Sequence, residues 1–299
     1  MTWPFENDTS VITKKLAKKS LQSEKRRNLM VVIAVALAAF LICFTGIVST
    51  SLTQMQRNQV VDTYQEGAND VIKNFAQLTQ RAGNFLVARE EMPDFSWDDL
   101  KGKDVLGGRK GGMPEMVFEY ILKKNGINPQ KDLSINQSID FGSTAAAFSG
   151  GQADYTIEFE PSATALEAEN SGYVVASLGV DSGYVPYTAY SAKTSYLNAN
   201  PNIIQKFTNA LQKGMDFVQS HTPEEIAKVI APQFKETDLA TITTIVSRYY
   251  EQDTWKSDLI FNEESFNLLQ DILENSGELK ERVPYEELVT TTFAEKAAH

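Results

Sequence analysis

The most pronounced pattern along the chain is a run of 24 uncharged residues, Leu29 to Leu52, preceded by a segment holding Lys14, Lys15, Lys18, Lys19, Lys25, Arg26 and Arg27. As a helix rising 1.5 Å per residue, this run is about 36 Å long, enough to cross a hydrocarbon core of roughly 30 Å. The basic cluster puts residues 1–28 in the cytoplasm and everything after Leu52 outside. A cleaved signal peptide is the alternative, with Ser49, Thr50 and Ser51 as small residues near its end. The length of the run and of the segment before it favours an anchor.

Past the apolar run, short strand-like and longer helical patterns alternate. Asp104 to Gly107 reads as a strand, and Pro114 to Lys124 as a helix with Val117, Tyr120 and Ile121 on one face, ended by Gly126. A strand over Leu133 to Ile139, a small-residue helix near Ser143 to Phe148, a Gly150-Gly151 break and a strand over Asp154 to Phe159 follow. This rhythm predicts βαβ units and a mainly parallel sheet. From Tyr184 the chain returns through Tyr187-Thr188-Ala189-Tyr190 into helices. One begins at Asn200-Pro201 and carries Ile203, Ile204, Phe207, Leu211, Met215 and Val218 on its apolar face; others cover Glu224 to Ile230, Asp238 to Tyr250 and Glu263 to Glu274, the last closed near Gly277.

Charge and rare residues narrow the chemistry. Residues 1–28 carry a net charge of +4 and the remainder −15. An acidic outer part argues against nucleic acid, whose phosphates need a basic footprint. The single cysteine, Cys43, lies in the apolar run, so the outer part has neither a disulfide nor a thiol nucleophile. Of the two histidines, His221 precedes a capping box, Thr222-Pro223-Glu224-Glu225, and His299 is the last residue. Zinc sites and Ser-His-Asp triads therefore have almost nothing to be built from. We expect no catalytic residues, no metal and no cofactor.

Two strand-to-helix junctions offer binding chemistry. Gly107-Gly108-Arg109-Lys110-Gly111-Gly112-Met113-Pro114 is a glycine-rich turn in which converging N–H groups, a helix start and two cations could hold an anion or the polar edge of a heterocycle. A purely structural turn is the alternative. At Phe159-Glu160-Pro161-Ser162, Glu160 occupies the carboxyl end of a strand, where open parallel sheets bind ligands. Its alternative role is that of a first-turn carboxylate favoured by the helix dipole.

Asn74-Phe75-Ala76-Gln77-Leu78-Thr79-Gln80, Asp99-Leu100-Lys101-Gly102-Lys103, GGRKGGMPE, Gly150-Gly151-Gln152-Ala153-Asp154-Tyr155, FEPSAT, Pro186-Tyr187-Thr188 and the Asn200-Pro201 helix follow one another in order. That series, over about Gln65 to Ala298, resembles the extracellular solute-binding proteins of ABC importers, in the SsuA/ThiY-like branch that takes sulfonates, nitrate or taurine, and thiamine-pyrimidine precursors. The resemblance implies a type II periplasmic-binding-protein-like α/β fold of two lobes. It places the ligand against Thr79, Gln80, the Arg109-Lys110-Gly111-Gly112-Met113 loop, Glu160 and Tyr187. Capture by lobe closure, a small-molecule ligand and permease and ATPase partner subunits follow from it; no enzyme activity does.

The first βαβ segment of lobe one has no counterpart between Leu52 and Asn74. Residues 1–64 instead resemble the start of an FtsX-like or MacB-like permease, in Lys14-Lys15-Leu16-Ala17, Ser20-Leu21 and Lys25-Arg26-Arg27-Asn28. The expected organisation is a cytoplasmic segment (1–28), a membrane helix (29–52), a junction (53–70), a hinge strand region (71–85), a complete lobe two (86–186) and the mostly helical later part of lobe one (187–299). Alternatives are a permease fragment or a membrane-anchored interaction protein, and an enzyme resembling pyrimidine-precursor synthases, whose cysteine-rich motif is missing here. Tyrosines and Glu160 would suit a nitrogen heterocycle, Arg109 and Lys110 an anion.

Overall fold

A computed structural model describes Lys14 and Lys15, both helical and exposed, and residues 70–298. The apolar run Leu29–Leu52 and the junction before Asp70 lie outside the described residues. No helix among the described residues is long and apolar enough to cross a membrane.

Two sheets organise residues 70–298. The smaller pairs β1 (Ile72–Thr79) with β7 (Thr188–Lys193), antiparallel from Ile72↔Lys193 to Thr79↔Thr188. The larger contains β2 (Asn84–Ala88), β3 (Asp104–Leu106), β4 (Ser134–Asn136), β5 (Tyr155–Phe159) and β6 (Tyr173–Ser177), in the order β4-β3-β5-β2-β6. The pairs β3·β4 and β3·β5 are parallel, whereas β2 runs antiparallel between β5 and β6. Four strands therefore share one direction, as the alternating pattern predicts, and β2 is the exception. It enters straight from β1 through Gln80–Gly83, without a crossover helix that would turn it parallel.

Helices cover both faces of the larger sheet. α1 (Met113–Lys124) buries Val117, Phe118, Ile121 and Leu122 against Leu86, Val105 and Ile157. α1 stops because Gly126 adopts φ +75° and Ile127 N–H donates back to Leu122 C=O at 2.9 Å, a Schellman-type closure. α2 (Phe141–Ser149) and α3 (Ser162–Ala168) cover the other face, where Phe148, Ala163 and Leu166 meet Phe85 and Val87. The five-residue α4 (Leu178–Ser182) follows β6 and packs on α1.

The β1–β7 ribbon is clothed by α5 (Thr194–Ala199), α6 (Pro201–Ser220) and α11 (Thr292–Ala297), with Phe75, Ala76, Leu197, Ile204, Met215 and Ala294 at the core. α7 (Pro223–Ile230) begins with the expected capping box at Thr222 and Glu225 and packs against α8 (Leu239–Glu251). α9 (Glu263–Ser276) ends at Gly277, φ +80°. α10 (Tyr285–Leu288) lies beside β1. α9 bridges two cores: Phe266 packs with Phe261, Val289 and Tyr285, whereas Ile272 is fully buried in the core with α1 and Leu86. Among the described residues the ribbon is the one sheet besides the larger one. Ile203 and Phe207 on α6 are 56% and 42% exposed.

Candidate functional site

The strand ends bring several of the expected residues to one end of the larger sheet. β3 runs into the glycine turn, where Gly108 has φ +73° and an added Cβ would fall 2.2 Å from the Phe141 ring. Only glycine fits there, for both reasons. Phe141 in turn meets Phe159, at 5.6 Å between ring centroids, and Phe159 meets Tyr187 at 6.4 Å. The first residue of α2, the last residue of β5 and the residue before β7 thus form one aromatic chain, its Phe141 end against Gly108 of the turn.

Across the ribbon end, Tyr187 N–H donates to Thr79 C=O at 3.3 Å, and Val185 N–H to Gln80 C=O at 2.9 Å. Gln80 is tied to the turn after α8 through its N–H to Thr254 C=O, 2.8 Å, and its amide to Asp253 C=O, 3.2 Å. Tyr187 Oη and Thr79 Oγ1 are buried with no hydrogen-bond partner, as are both polar atoms of Asn84, the first residue of β2. Burial pushes the Tyr187 hydroxyl up from its ordinary value, with Tyr249 adding to the effect. Buried polar groups nearly always have partners; these four atoms have none.

The glycine turn is filled in an unexpected way. Gly111 N–H donates to Glu115 Oε2 at 3.1 Å, and the Gln137 amide to Glu115 Oε1 at 2.6 Å. The chain's own carboxylate sits where the turn could receive an anion. Burial, and then the neighbouring Glu119 carboxylate, push Glu115 up to about 7. Arg109 and Lys110 are exposed, while Gly112 and Met113 are half-buried at the start of α1.

Glu160, expected beside the ligand, has both oxygens engaged by protein. Oε2 accepts from Thr164 N–H at 3.0 Å; Oε1 accepts from Thr164 Oγ1 at 3.0 Å and from Arg248 at 2.5 Å. Arg248 also reaches Glu167 at 2.5 Å. The Glu160 side chain is 2% exposed. This geometry follows the first-turn alternative, extended by a cation from α8.

Two residues escaped the sequence reading. Asn84 opens the run Phe85-Leu86-Val87 and carries no local signal beyond a polar residue ahead of three buried ones. Arg248 lies 88 residues from its partner Glu160, beyond the reach of any spacing rule.

The NMT1/THI5-like family matches residues 48–226. The chain belongs to that family. A Bacillus subtilis (strain 168) protein named "Putative binding protein YtlA" is 47% identical over 231 residues, covering 77% of this chain and 69% of that one. The alkanesulfonate-binding protein SsuA from Xanthomonas axonopodis pv. citri, bound to MOPS, superposes with a TM-score of 0.58 at 18% identity, over 76% of this chain and 75% of that one. The desulfurization enzyme DSZB superposes with a TM-score of 0.55 at 13% identity, over 80% of this chain and 82% of that one. At these identities the two structures speak for the fold, an α/β architecture of the periplasmic-binding-protein kind. The family match reaches back to residue 48, into the stretch that resembles a permease start, and the comparisons lend that permease resemblance no support.

Proposed function

We propose that this protein is the extracytoplasmic solute-binding component of an ABC importer, held at the membrane through residues 29–52. It takes up a small polar organic molecule at the sheet end lined by Thr79, Tyr187 and the Gly108–Met113 turn. The observation that carries this reading is the set of buried, unpartnered polar groups beside the Phe141–Phe159–Tyr187 aromatics, in a chain of this family. Glu160 acts beneath the site, holding the β5 end to α8 through Arg248. Gln80 serves as the joint between the ribbon and the larger sheet. Binding energy arises from contacts made when the two bodies close on the solute. Permease and ATPase subunits are the partners, and no bond is made or broken.

That the desulfurization enzyme has the same fold means that the fold alone does not separate binder from enzyme. The name of the B. subtilis relative supports the binder. Thermal-shift and calorimetric screening of the purified chain against sulfonates, dicarboxylates and pyrimidines tests the proposal, because a ligand that binds the folded state raises the melting temperature by mass action. Reporter fusions before and after residues 29–52 test the anchor: export of the C-terminal reporter alone is expected.

A further inference from the structure

Asn84 is 0% exposed, and neither its Oδ1 nor its Nδ2 has a partner. It stands directly opposite Phe159 in the antiparallel β2–β5 ladder, so the two side chains share a face of the sheet. Phe159 is the residue whose ring meets both Phe141 and Tyr187. Asn84 therefore lies at the sheet end where β3 opens into the glycine turn, two residues before Leu86 disappears into the core with Ile157. Burying an amide with both ends unpaired is destabilising, and folded proteins rarely retain such a group without a use for it.

The chemistry around it restricts what can complete it. An asparagine amide presents a donor and an acceptor side by side and can satisfy both only against an edge that offers an acceptor beside a donor. The hydroxyls of Thr79 and Tyr187 can rotate to either role, so the fixed Oδ1 is the discriminating atom. An oxyanion placed on the amide would use Nδ2 and set its own oxygens against Oδ1. Of the charges nearby, Glu160 is paired with Arg248, Glu115 with Gly111 N–H and Gln137, and Arg109 and Lys110 are exposed, while Arg81 donates from Nη1 to the Gly179 and Val180 carbonyls and lies over the Tyr184 ring, its buried Nε without a partner.

We infer that Asn84 contacts the solute and selects uncharged molecules that present a donor beside an acceptor, such as a carboxamide, a urea or an amino-heterocycle. This rests on the solute-binding reading above. The test is calorimetry on the full chain with cytosine and nicotinamide as neutral probes, and nicotinate and ethanesulfonate as anions of similar or smaller size. At least one neutral probe is expected to bind. Asn84→Asp, which is nearly isosteric but replaces the Nδ2 donor with a charged acceptor, and Asn84→Leu, which removes donor and acceptor together, should each weaken that binding by roughly tenfold or more. Melting temperatures identify any variant that fails to fold, and Asn84→Ser then replaces it.

Neutral binding that is unchanged in folded Asn84 variants overturns the inference and leaves the amide a structural group. Binding of ethanesulfonate or nicotinate alone, equal in wild type and Asn84→Leu, overturns it while sustaining the solute-binding reading. Failure of both classes to bind overturns that reading as well.

Discussion

Arg248 on α8 holds Glu160, the residue after β5, at 2.5 Å, and the same guanidinium holds Glu167 on α3 at 2.5 Å. One cation thus ties a helix packed on the ribbon side to a strand end and a helix of the larger sheet. Removing one partner of a buried pair leaves an uncompensated charge. Arg248→Ala should therefore lower stability by about 3 kcal/mol, read from urea denaturation midpoints. Glu160→Gln should also act mainly on stability, with solute affinity within about twofold of wild type, since only about 0.4 kcal/mol separates the two at that level.

Tyr187→Phe removes a buried hydroxyl that has no partner in the free protein. The unfolding free energy of the free protein should be unchanged or raised by about 1 kcal/mol, because an unsatisfied group is lost without a bond. Affinity for the solute should fall at the same time. A variant with unaltered affinity would remove Tyr187 from the site.

Glu115 provides a pH signature. Its folded value, about 7, lies above the ordinary 4.5, so between those values the folded state holds a proton that the unfolded state has released. Stability then falls as pH rises through that window. The expected change is on the order of 2–3 kcal/mol between pH 5 and 8, and it should be largely absent in Glu115→Gln. Denaturation at a series of pH values reads it directly.

Gly108→Ala meets two obstacles, a φ of +73° and the Phe141 ring at 2.2 Å from the new Cβ. A loss of about 2–4 kcal/mol is expected from strain and overpacking together. Gly126→Ala, with positive φ but nothing within 4 Å, should lose only about 1 kcal/mol. The difference between the two measures the packing contribution.

The elements with strong periodicity were legible in the sequence because their own residues determine them. Val117, Tyr120 and Ile121 announce α1, the Thr222–Glu225 box announces α7, and Gly277 announces the end of α9. What depends on distant partners was not legible. The reversed direction of β2 follows from how the chain leaves β1, and the β6 strand Tyr173–Ser177, though apolar from Tyr173 to Ala176, is half-buried along its length and shows no alternation. The placement of α9 on α1 was hidden because an apolar helix face does not name its partner. Of the proposed site, Tyr187, Thr79 and the glycine turn come from the family resemblance. Asn84 becomes meaningful only once its burial and its position opposite Phe159 are known.

The β1–β7 ribbon has a mechanical consequence. Thr79 and Thr188 close its last rung, and from that single end the chain leaves twice for the larger sheet, through Gln80–Gly83 and back through Gly183–Tyr187. Thr79 and Tyr187, joined by a backbone hydrogen bond, stand at the root of both crossings, so a substitution that displaces either one disturbs both connections at once.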